Sequence, residues 1–138
     1  MTEIAKIPKI TAIYPFAPTA FFVALFLAPV VFAVATFWVA LIPVFAVVVG
    51  YLPYIIIGGP ILLWAVGRVR PHPLVYGLIA LGAEGLLWLV ARFRPDLIGV
   101  NDWYFALGAF FAFFWGMTFA ILYGRWHPDP TVFVQQKG

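Results

Sequence analysis

The sequence predicts an all-α fold, an integral membrane four-helix bundle, and three observations predict it. Of 138 residues, 65% are hydrophobic and 9% charged, whereas a soluble domain carries roughly a quarter charged residues. Mean hydropathy is +1.06. Residues 10–67 contain no charge at all, a run far longer than the ~20 residues that one span needs. So short a chain cannot bury that much apolar surface in water, and lipid is the expected solvent for most of it. The whole chain, residues 1–138, reads as one transmembrane domain.

The first 16 residues, MTEIAKIPKITAIYPF, hold Glu3, Lys6 and Lys9 among isoleucines. Pro8 and Pro15 interrupt any helix, so a short interfacial tail is expected, with Tyr14 and Phe16 near the headgroups. Ala33-Val34-Ala35 resembles a cleavage triplet, but the apolar run continues past it and the leading region contains Glu3. A retained first span is therefore expected.

The uncharged run divides best at residues 36–43, TFWVALIP, where Trp38 suits an interface and Pro43 the first turn of a new helix. That gives spans at about residues 18–39 and 43–67, with a break at residues 50–53 as the alternative. Pro29 should kink the first span. Pro53 and the Gly58-Gly59-Pro60 cluster should kink or break the second. The third span covers residues 74–93 and ends in the polar loop of Arg92, Arg94, Asp96, Asn101 and Asp102. The fourth covers residues 103–124. Trp103 and Tyr104 at one end and Tyr123 and Trp126 at the other form two aromatic girdles roughly 30 Å of helix apart. Residues 127–138 form a short tail.

With four spans, Lys6, Lys9, Arg68, Arg70, Arg125 and Lys137 fall on one side, and Arg92 and Arg94 on the other. The cationic side faces the cytoplasm, so both termini are expected there, with a bacterial plasma membrane as the expected location.

Composition also removes functions. Without cysteine there is no disulfide, thiolate nucleophile or Cys-bound metal. No basic stripe exists for nucleic acid. There is no nucleophile–base pair, phosphate loop, paired carboxylates or HExxH spacing, and the loops are too short for an aqueous active site. No enzyme activity, cofactor or metal is expected.

Four features remain. Glu84, between Ala83 and Gly85, is the one acid far from a predicted membrane edge. A carboxyl at that depth is costly when charged. It reads foremost as a structural or subunit contact, and second as a proton or cation site. Tyr51, Tyr54, Trp115 and Thr118 are the other polar candidates within the spans, and nothing in their spacing places them at one depth with Glu84.

The second feature is a ridge of small residues, Gly108, Ala112, Gly116, Ala120 and Gly124, which lines one face of the fourth span. Ala20, Ala24 and Ala28 form a shorter ridge on the first span, which makes that span the expected partner. Crowded phenylalanines flank the ridge and read as lipid-facing.

The third feature is a recurrence. Residues 66–71 read VGRVRP, 90–95 read VARFRP, and 123–128 read YGRWHP. Arginine at a helix C-terminus offsets the dipole and proline stops the helix, so helix-end chemistry explains the pattern. The fourth is His72 and His127, each before a proline and on one side of the four-span topology, where with Asp129 they could form a sparse metal site or two axial haem ligands. They read as loop histidines, since haem ligation inside a bundle needs histidines within facing helices and no third nitrogen ligand exists.

The functional expectation is a non-catalytic accessory or structural subunit. Its partners would be the bilayer and either a larger membrane protein or further copies of itself. The competing expectation is a homo-oligomeric channel or proton-coupled transporter using Glu84.

Overall fold

The computed structural model describes residues 14–36, 42–96 and 102–133. Within them the chain is helical, with no strand. Helix α1 spans Pro18–Thr36, α2 Ile42–Pro53, α3 Gly59–Val66, α4 Pro73–Phe93 and α5 Asp102–Trp126. A 3-10 turn, Pro130–Phe133, closes the described chain. Helices α1, α4 and α5 are each long and apolar enough to cross a membrane. An apolar helix in lipid satisfies its own backbone, which is why these sequences take no other form there.

The ends of the helices follow local chemistry. His72 is the extended residue before α4, and Pro73 opens the helix where its missing N–H costs nothing. Arg92 lies in the last turn of α4, and Pro95 follows its end. Asp102 begins α5 and Arg125 ends it, each the charge that its helix terminus favours.

The second apolar region does not split. The chain runs from α2 into α3 through a π-helical turn, Tyr54–Gly58. Pro60 supplies no N–H to the carbonyl four residues back and its ring crowds that carbonyl; a wider turn relieves the crowding. The π turn stands where the sequence predicts a kink or break. The alternative break at residues 50–53 does not occur, because they are helical. Most of the preferred break at residues 36–43, Trp38 included, lies outside the described residues. Most of the N-terminal tail, Asn101 and residues 134–138 also lie outside them.

Helix α5 is central. It packs along α4 on one side and along α1 on another, while α2 lies against α1 and α3 against α4. The α1 contact is aromatic: Phe21 meets Phe119 edge-on at 5.4 Å, and Phe32 stacks on Phe114 at 5.3 Å. The phenylalanines flanking the ridge on the fourth span were expected to face lipid; of these, Phe111 and Phe119 are instead buried in the core. Without water to expel, tight van der Waals packing must hold such helices together, and interlocked rings supply it.

Candidate functional site

The closest helix contact is the seam between α4 and α5. A Cβ added to Gly116 would lie 2.5 Å from the Tyr76 carbonyl oxygen and 2.9 Å from Ala80 Cβ. One added to Gly108 would overlap Glu84 Oε1 and lie 3.1 Å from its Cδ, and one on Gly124 would meet Pro71 at 3.5 Å. Three glycines of the small-residue ridge thus lie in close contact with neighbouring groups. These glycines, however, face α4 and the turn before it, not α1 as expected. Ala20, Ala24 and Ala28 are buried, but the ring contacts between α1 and α5 run through phenylalanines. The misreading has a simple cause: a small-residue stripe shows that something comes close, and carries no address. Among the described residues no glycine has positive φ, so these glycines act only by lacking a side chain.

Glu84 is half-buried at this seam, with its carboxyl against Gly108. It makes no hydrogen bond or ion pair among the described residues. Trp88 and Arg92 follow it at four-residue steps along α4, and so share its flank. Asp102, at the start of α5, accepts a 3.0 Å hydrogen bond from the Trp88 indole and lies 3.9 Å from Arg92. A line of polar groups thus runs from Glu84 to the end of the bundle.

The other polar candidates do not join it. Tyr51 donates to the Phe26 carbonyl at 3.1 Å, and Thr118 to the Phe114 carbonyl one turn back at 2.9 Å. Tyr54 and Trp115 do come together, ring against ring at 5.1 Å and nearly perpendicular. Both are buried, and neither the Tyr54 hydroxyl nor the Trp115 indole N–H has a hydrogen-bond partner among the described residues. Gly50 makes room for the indole: a Cβ there would be 3.1 Å from its rim. Trp115 is seven residues beyond Gly108, roughly 10 Å along the helix, so this pair and Glu84 are separate places.

A polar knot at one end of the bundle has no counterpart in the sequence expectations. His127, read as a loop histidine, is buried against Tyr123 and Phe133. Its Nε2 lies 3.0 Å from the Pro15 carbonyl, an acceptor only, so Nε2 carries a proton and donates. The Asp129 N–H reaches Nδ1 at 3.2 Å. The Ala17 N–H donates to the Tyr123 hydroxyl at 3.2 Å, the Tyr76 hydroxyl donates to the Val69 carbonyl at 2.9 Å, and the Tyr14 N–H donates to the Gly67 carbonyl at 3.0 Å. Each bond satisfies a backbone group just outside a helix end. Burial raises the Tyr14 phenol above its ordinary pKa, against the smaller opposite pull of the Arg70 guanidinium. One signal was legible. Trp115, Phe119, Tyr123 and His127 stand at four-residue steps, an aromatic column ending in an imidazole. Among the described residues no group of three or more His, Cys, Asp or Glu side chains is placed to hold a metal.

Fold and chemistry together define a class: a helical protein with several apolar helices of membrane-crossing length. Against known proteins the chain matches no family model, no curated protein and no solved structure.

Proposed function

We propose that this chain is a four-span bundle of a bacterial plasma membrane, with both termini cytoplasmic. In this reading it serves as a non-catalytic accessory subunit that packs against a larger membrane protein. The observation that carries the reading is the bare face of α4. Leu74, Leu78, Leu81, Leu86, Leu89 and Phe93 are exposed there, and nothing lies within 4 Å of where a Cβ on Gly82 or Gly85 would be. A helix with glycines over open space admits another helix closely. The test is a pull-down from the native membrane in gentle detergent, with sizing and mass spectrometry. A larger partner in fixed stoichiometry supports the reading; a stable monomer with no native partner overturns it.

A second reading, a channel or proton-coupled transporter, is favoured by the unpaired Glu84 carboxyl at the head of the polar line to Asp102. Under it, Glu84→Gln abolishes flux in proteoliposomes while leaving expression unchanged. Unaltered flux removes this reading.

A further inference from the structure

Three stretches share the form of an arginine-bearing helix end followed by proline, and the structure treats them differently. In the copy at residues 90–95 both arginines meet acids. Arg94 binds Asp96 through two nitrogens at 3.1 Å, and Arg92 lies 3.9 Å from Asp102. The copies at residues 66–71 and 123–128 come together at the opposite end. Gly124 lies against Pro71, so Arg125 and Arg70 flank one contact. Arg70 is also close enough to Tyr14 to act on its phenol.

At this end the described guanidinium groups form no ion pair. Among the described residues Arg70 and Arg125 meet no carboxylate, and Arg68 only bonds to the Trp64 carbonyl at 3.3 Å and lies 5.1 Å over the Trp64 ring. The one acid here among the described residues, Asp129, is taken up by Thr131, whose N–H and hydroxyl both donate to its Oδ1. Arg68 and Arg125 are exposed, and Arg70 is half-exposed. Helix-end chemistry accounts for an arginine in each copy. It does not account for arginine–carboxylate pairs at one end and none among the described residues at the other.

We propose that Arg68, Arg70 and Arg125 form a rim that binds the phosphate headgroup of an anionic phospholipid. The rim rests on the membrane class alone, not on the accessory role. Guanidinium groups suit phosphate oxygens in geometry and charge. The exposed Trp64 and Trp126 stand where the headgroup layer would lie. Basic residues near a membrane surface attract anionic lipid by an amount equivalent to about fivefold in affinity each.

The experiment uses the full chain in an uncharged detergent, offered equal amounts of phosphatidylglycerol and phosphatidylcholine, with retained lipid counted by native mass spectrometry. The expected result is selective retention of phosphatidylglycerol. The Arg68→Gln/Arg70→Gln/Arg125→Gln variant should lose it by about a hundredfold, while Arg92→Gln/Arg94→Gln keeps it. Should the triple variant fail to fold, Arg125→Gln alone, at an exposed helix end, should lose about fivefold. Equal retention of both lipids overturns the proposal, as does an equal loss in the Arg92/Arg94 variant. Displacement of the lipid by inorganic phosphate assigns the rim to free anions and likewise overturns it.

Discussion

The two ends of this bundle are held by different physics. At the end where residues 14–17 pass over the close of α5, buried tyrosine and histidine side chains bond to main-chain groups, with aromatic rings packed around them. At the other end, exposed arginines pair with exposed aspartates: Arg94 with Asp96 and Arg92 with Asp102. Charge is more visible in a sequence than a tyrosine hydroxyl, yet water screens an exposed ion pair to little net value. A buried neutral hydrogen bond is modest when made, and costly when one partner is removed. The end whose described arginines form no ion pair therefore closes the fold, and those arginines are left for a partner outside the chain.

Three variants test that contrast. His127→Ala should have the largest effect, about 2–4 kcal/mol in stability, because it leaves the Pro15 carbonyl unpaired and opens a void beside Tyr123 and Phe133. Thermal unfolding in detergent measures it, and an unmoved midpoint would mean the knot is not closed in solution. Tyr123→Phe keeps the ring stacked on Phe119 but strands the Ala17 N–H, for about 1–3 kcal/mol. Hydrogen exchange at Ala17 should rise in that variant alone; unchanged protection would remove this bond from the account.

Asp96→Asn should do least. The Arg94 hydrogen bond holds the Asp96 carboxyl below its ordinary pKa. Its contribution is therefore present above the ordinary carboxylate value and lost as pH falls through the lowered one. Because the group is fully exposed, the unfolding midpoint of Asp96→Asn should match that of the parent at pH 7 and above. A clear drop there would put weight on the ion-paired end and break the contrast.

Much of this architecture was legible beforehand. The span at residues 74–93 coincides with α4 within one residue, since an uninterrupted apolar run between a proline start and an Arg-Pro end admits little else. The glycine ridge and Glu84 were also recognisable, from spacing and from chemical oddity. Their meeting was not: Glu84 and Gly108 lie 24 positions apart in the chain, and helix periodicity defines a face without naming its partner. His127 was misjudged for a related reason. Position beside a proline near a helix end suggests an exposed loop, whereas burial depends on Phe133 and Pro15 arriving from elsewhere.

By itself, then, the sequence determined the apolar character of this protein's long helices, its helical form and where most of those helices start and stop. Those properties depend on composition and on neighbours a few residues apart. Tertiary structure alone decided that glycines of the ridge lie against α4, that Tyr54 meets Trp115, and that two of three arginine-bearing ends converge with no ion pair among the described residues while the third is paired with aspartates. Such choices rest on which faces pack at a distance of a few ångströms, and a periodic stripe in the chain marks a face without naming what fits against it.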